Sequence, residues 1–200
     1  MKRIALILPW LADFGHGIIL TILITYLFGI EPTGFHFLMG LLFSISPDLD
    51  GIRELFKYGN VAAHEGREHD HRDGLHFPLL WILIGSVVIF INPFWGTFFL
   101  SCVMLHFFND SWGTGFGVEW LWPFSRNNYK LFPNKVVDDQ TPGEDYFASW
   151  SPEEKVGVMK KYGNPNWIND LYLKPTIISV VEYSTFIVAV LILIIFYVIK

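Results

Sequence analysis

The sequence predicts an all-α fold class, a polytopic membrane protein of two short helical hairpins and a C-terminal transmembrane helix, with polar loops on the cytoplasmic side. Three observations predict it. Of 200 residues, 52% are hydrophobic and only 16% charged, a balance that suits lipid rather than water as the surrounding medium. The apolar residues gather into runs from Gly17 to Ile30, Phe35 to Ser46, Phe77 to Ile91, Phe94 to Phe108 and Ile177 to Ile199. Turn residues pair the first four runs, because Glu31-Pro32-Thr33-Gly34 and Asn92-Pro93 end one helix and allow the chain to double back.

Taken in order, Met1-Lys2-Arg3 followed by the apolar stretch Ile4 to Leu11 has the look of a secretory leader, but Pro9 interrupts it and no small-residue cleavage pattern follows. It reads as an interfacial entry to the first membrane helix. The four paired runs are shorter than the roughly 20 residues that cross about 30 Å of hydrocarbon, so they must be extended, tilted or re-entrant. Only Ile177 to Ile199 is long enough as it stands. Cys102 lies in an apolar run and reads as packing; as the one cysteine it forms no intrachain disulfide. Between the runs lie two polar segments, Pro47 to Leu75 and Asn109 to Lys174. In the second, Ser151-Pro152-Glu153-Glu154 supplies a cap, a proline at the first helical position and acids in the first turn, predicting an amphipathic helix to about Tyr162. Trp120, Trp122, Trp150 and Trp167 stand where aromatic rings favour the membrane interface. The expected domains are 1–124, membrane-embedded and carrying the site; 125–174, a cytoplasmic loop; and 175–200, the last transmembrane helix.

Charge sets the expected orientation. Lys and Arg from Lys2 to Lys174 all fall on one side of the two hairpins, Lys200 alone on the other, and neither hairpin tip carries a cation. The positive-inside rule then puts both polar segments in the cytoplasm, in a multi-pass protein of the inner membrane. The net charge of -5 is spread without blocks, so nucleic acid is not an expected partner.

With that topology, candidate metal ligands share one depth. His16 opens the first hairpin, and Asp48 and Asp50 close it. His71 and His76 open the second, and His106 and Asp110 close it. The four-residue spacing of His106 and Asp110 puts an imidazole and a carboxylate on one helix face. Singly, each has a plainer reading: His106 as a packed histidine bonded to another helix, Asp110 as a helix-end carboxylate, Asp48 and Asp50 as turn and cap. Together they converge, and ionisable groups at a membrane boundary are functional by default. Histidine and aspartate without a nearby thiolate suit a catalytic divalent metal, Zn²⁺ before Mn²⁺ or Fe²⁺, with donors enough for one or two ions. His36, beside a hairpin tip, reads as interfacial, while His64 and His69 read as loop residues. Arg67 and Arg72 are candidates for an anionic substrate group or anchors of topology. His16, Pro32 and Asp48 are 16 apart, and His76, Pro93 and Asp110 are 17 apart, a faint repeat that two related hairpins or coincidence would produce.

These residues resemble the YdjM-like family of inner-membrane-associated metal-dependent hydrolases, some of whose members are described as LexA-binding. The resemblance covers most of residues 15–124 and rests on His16, Pro47-Asp48-Leu49-Asp50, His71-Arg72, His76, His106 with Asp110, Thr114, Gly117 and Leu121-Trp122-Pro123-Phe124. The family favours hydroxyl and small residues around the second histidine, as in His-Arg-Gly-x-Thr-His-Ser; here Asp73, Leu75 and Phe77 stand in those places. Membership implies a metal-dependent hydrolase. The expectation is therefore hydrolysis at the cytoplasmic face of an amphiphile such as a phosphoester lipid, with His16, His71, His76, His106, Asp48, Asp50 and Asp110 holding metal. Asp48 or Asp50 is left to take a proton from water. Two other readings stand beside it: a transporter of a metal ion or anion, and a membrane adaptor whose segment Ser125 to Lys174 meets a regulatory protein.

Overall fold

The computed structural model describes residues 4–58, 61, 71–132 and 146–199. The fold is mostly helical. A 3₁₀ turn over Ile4–Trp10 runs directly into α1, Leu11–Leu27. Pro9 lies inside this 3₁₀ turn, close to its junction with α1. Joined, Ile7–Leu27 is a 21-residue stretch long and apolar enough to cross a membrane. The helix thus begins well before Gly17, and Asp13 and His16 lie within its first turns rather than ahead of it.

Thr33 starts α2, Gly34–Ser44, through a reciprocal cap: its side chain accepts from the His36 N–H while His36 Nδ1 accepts from the Thr33 N–H at 3.1 Å. His36, whose ring also stacks on Trp95 with centroids 5.5 Å apart, is a cap and packing residue. After a 3₁₀ turn at Ser46–Asp48 comes α3, Leu49–Tyr58, inside a stretch expected to be a polar loop. Leu49, Ile52 and Leu55 recur at helical spacing there, a pattern too short to stand out among charges. A second 3₁₀ turn, His71–Asp73, leads to α4, Pro78–Ile91, and the chain reverses through Asn92, which caps α5, Pro93–Trp112, by accepting from the Trp95 N–H at 3.1 Å. The helix anticipated after Ser151 is α6, Pro152–Tyr162, capped reciprocally by Ser151 and Glu154. A single π-helical stretch at Ile168–Tyr172 precedes α7, Ile177–Ile199, the second helix long and apolar enough to cross a membrane.

The all-α expectation needs a correction. Strands β1, Asn128–Leu131, and β2, Phe147–Trp150, pair antiparallel, with Val118 bridged to Tyr129. Four-residue strands leave too little alternation to be read from sequence. Their inner face joins α6 in a small core of Phe116, Ala148, Trp150, Val158 and Met159.

Helix α1 is central, packed against α2, α5 and α7, while α4 lies on α5. Its contact with α2 is close: a Cβ on Gly17 would come 2.6 Å from the Gly40 carbonyl oxygen, and one on Gly40 would come 2.7 Å from that of Gly17. Small residues let membrane helices pack backbone to backbone, where apolar burial gives no preference for protein over lipid. Leu20, Ile24, Phe94, Phe98 and Cys102 fill the space between α1 and α5. The outer faces stay apolar: Phe90, Ile91, Ile187, Leu191, Ile195 and Val198 are all exposed, a surface suited to hydrocarbon and costly in water.

Candidate metal centre

The centre forms where α1, α5 and the two 3₁₀ turns meet. Helix α5 carries His106 and Asp110 one turn apart on its inward face, both buried. The turn at Ser46–Asp48 delivers Asp48, and the loop between His71–Asp73 and α4 delivers His76, which has no exposed surface. Pro47 and Pro78 help set these positions, each standing at the first positions of a helical stretch, and Phe77 before Pro78 lies outside helix.

Four atoms face one another: Asp48 Oδ1, His76 Nε2, His106 Nε2 and Asp110 Oδ2. His76 Nε2 is 3.2 Å from Asp48 Oδ1, 3.2 Å from Asp110 Oδ2 and 3.4 Å from His106 Nε2. His106 Nε2 is 3.5 Å from each of the same two carboxylate oxygens. A proton on a ring nitrogen points along one line and cannot serve several such contacts at once. A tetrahedral ion can, since bonds of about 2.0–2.2 Å to N and O imply ligand-to-ligand edges of about 3.3–3.6 Å. The donor set and its spacing fit a divalent metal.

Surrounding groups hold these donors in place. Asp50 Oδ2 accepts from the Leu75 N–H at 2.6 Å and lies 3.2 Å from His76 Nδ1, turning the other ring nitrogen toward the cluster. Asp13 Oδ1 stands 3.3 Å from His106 Nδ1 in the same relation, both atoms buried and without an aligned hydrogen-bond partner. Carboxylate behind imidazole is the usual support of a metal-bound histidine. Arg72 clasps Asp110 with Nε on Oδ2 and a terminal nitrogen on Oδ1, both at 2.8 Å. Trp10 Nε1 donates to Asp48 Oδ2 at 2.8 Å. The C-terminus of α5 is neutralised by Lys130 Nζ, which donates to the carbonyls of Gly113, Thr114 and Asp110.

Burial works against charge on Asp48, yet the surrounding imidazoles of His106, His71 and His76 outweigh it and hold the carboxyl well below the usual carboxylate range. Burial likewise disfavours charge on His76, but Asp110, Asp48 and Asp50 push it up to about 10. The two shifts are opposite sides of one arrangement, imidazoles and carboxylates buried together so that each favours the charged form of the other.

Of the residues picked out by sequence, the structure brings Asp48, His76, His106 and Asp110 into one group and Asp50, His71 and His76 into an adjoining one. His71 Nε2 lies 3.4 Å from Asp48 Oδ1. His16 is set further out, its Nδ1 3.9 Å from Asp13 Oδ1. Arg72 is a partner of Asp110, and Arg67, like His64 and His69, lies outside the described residues. Sequence reasoning missed Asp13, for which the signal was an acid three residues before His16 in an apolar helix. It also missed Trp10, Tyr172 and Glu182. Glu182 is the only acid inside the otherwise apolar α7, a placement that marks it in hindsight.

Beside the cluster is a cavity of about 70 Å³. It is lined by polar Asp48, His71, Arg72 and Asp110, by apolar Pro9, Ile52, Leu55 and Val61, and by Trp167, Tyr172 and Glu182.

Apolar outer faces, two membrane-length helices and a buried histidine-aspartate cluster define an integral membrane protein with a candidate metal site. Residues 11–199 match the YdjM inner membrane protein family, and the chain belongs to it. The match runs through the C-terminal part that the short motifs left uncovered. Comparison with curated proteins and with solved structures returns no match.

Proposed function

We propose that this protein is a membrane-embedded, metal-dependent hydrolase whose site faces the cytoplasm and acts on an amphiphile, with a phosphoester lipid as the substrate class. The observation that carries the reading is the set of four donor atoms at tetrahedral spacing beside a cavity lined by both polar and apolar residues. Asp48, His76, His106 and Asp110 would hold one ion, Zn²⁺ in preference to Mn²⁺ or Fe²⁺. Bound there, the ion supplies a Lewis acid that polarises the substrate and lowers the pKa of water towards about 7. Asp50 and Asp13 orient the two imidazoles, and Arg72 both anchors Asp110 and offsets the charge of an anionic group entering the cavity. Of the two acids expected to accept a proton, Asp48 borders the cavity and Asp50 does not. With Asp48 given to the ion, His71, which also borders the cavity 3.4 Å from Asp48, takes the proton of the attacking water. Pro9, Ile52, Leu55 and Val61 receive the start of the acyl region and keep bulk water out.

Sidedness follows from charge: the polar segments share the site's end of the bundle and carry the cations, while the two reversals at 31–34 and 92–93 carry none. Purified protein should contain about one divalent ion per chain by elemental analysis. His106→Ala and Asp110→Ala should each bring that close to zero and abolish phosphoester hydrolysis, as should a chelator. Activity that persists without metal and in His106→Ala would overturn the reading.

A further inference from the structure

The cavity wall carries an acid that the hydrolytic reading does not use. Glu182 is 1% exposed, borders the cavity, and has Oε1 occupied by the Tyr172 hydroxyl at 3.1 Å. Its Oε2 is buried with no hydrogen-bond partner, an arrangement that costs about 1–3 kcal/mol unless something completes it. Arg72 is bound to Asp110 and Trp10 to Asp48, and a ligand that brings a donor or a positive charge would complete this oxygen. Two features choose between a metal and an organic cation. Among the described residues Glu182 belongs to no group of side chains able to share an ion, so a metal would lack ligands there. Tyr172 donates to Glu182, and Trp10 and Trp167 line the same cavity, Trp167 and Tyr172 edge to face with centroids 5.7 Å apart. A carboxylate among aromatic rings is the chemistry that recognises an ammonium group.

We propose that Glu182, with Trp167 and Tyr172, forms a subsite for the ammonium group of the substrate's polar head, so that the preferred amphiphile is zwitterionic, its phosphate toward the metal cluster and its amine toward α7. This rests on the proposed hydrolase for the position of the phosphate, but the subsite is tested by binding alone. The probes are O-phosphoethanolamine and glycerol 3-phosphate, which share a phosphate monoester and differ in the amine. Each is titrated into detergent-purified, metal-loaded protein with tryptophan fluorescence as the readout. Wild type should bind O-phosphoethanolamine at least about tenfold more tightly, equivalent to about 1.4 kcal/mol. Glu182→Gln, which keeps the shape and removes the charge, should bring the two within about threefold, with metal content unchanged. Equal binding by wild type would overturn the subsite, whether or not the variant folds. So would a preference that survives Glu182→Gln, or loss of an ion in that variant, which would make Glu182 a metal ligand. Discrimination without any turnover would leave the subsite standing and remove the hydrolase; turnover without discrimination would do the reverse.

Discussion

Asp13 and Asp50 show how much of this centre lies behind the ligands themselves. Each sets an imidazole at 3.2–3.3 Å, so that the opposite ring nitrogen meets the cluster. Replacing such a partner commonly weakens metal binding about 10–100-fold. Asp13→Asn should therefore lower affinity by that order in a competition with a chromophoric chelator while helix content stays the same; unchanged affinity would remove Asp13 from the site. Protonation gives a second test. The depressed Asp48 stabilises the metal-free fold above the ordinary carboxylate value of 3.8 and ceases to do so as pH falls through its lowered value. His76, raised from 6.5 to about 10, stabilises fully below 6.5, and its contribution is lost as pH climbs to about 10. Metal-free protein should accordingly melt highest between those ordinary values and lose stability toward alkaline pH. Added divalent ion should abolish the alkaline decline by taking the proton's place. A melting temperature that is flat from about pH 5 to about pH 9 in chelator would count against this arrangement.

Among the elements, α1 and α2 depend on the approach of Gly17 to Gly40. The hypothetical Cβ contacts of 2.6 and 2.7 Å are with backbone oxygen, which cannot move aside as a side-chain tip would. Gly40→Leu should push the helices apart and, because Asp48 follows α2 by way of Ser46–Asp48, displace a ligand as well. The expected outcome is loss of bound metal together with a markedly lower melting temperature in detergent. A Gly40→Leu protein with full metal content would show that the approach does not position the site. The cap of α6 follows local rules and was readable in advance, Ser151 with Glu154 and Pro152 acting as their positions suggested, whereas Asn92, expected as a turn residue, also caps α5. The strands and α3 were not readable, because short elements take their stability from packing against neighbours far along the chain rather than from local propensity.

For the whole molecule, the site's depth and side belong to the bundle rather than to any helix. α2 and α4, at 11 and 14 residues, fall short of a bilayer's hydrocarbon thickness, whereas Ile7–Leu27 and α7 reach across it. A reporter inserted after Asn60 should read as cytoplasmic, and one placed between Gly29 and Gly34 as external. The opposite pattern would turn the centre to the outer face and remove the cytoplasmic substrate pool from consideration. The family assignment over residues 11–199 agrees with a chain in which α7 is part of the functional unit, since it supplies Glu182 to the cavity.

By itself the sequence determined the solvent, the helical bulk of the fold and a set of candidate donors. Composition and the placement of Pro, Asn and Ser act locally, and His or Asp in an apolar setting is conspicuous wherever it falls. Which of them stand close enough to share an ion was decided only by tertiary structure. His76 and His106 are 30 residues apart, Asp13 and His106 much further, and their meeting depends on backbone contact between α1 and α2 and on α5 lying against both. The same packing set His16 to one side, turned Arg72 toward Asp110, and brought an acid from the last helix to the cavity. Distances of that kind arise from the sum of many long-range contacts, for which no short stretch of residues carries a signal.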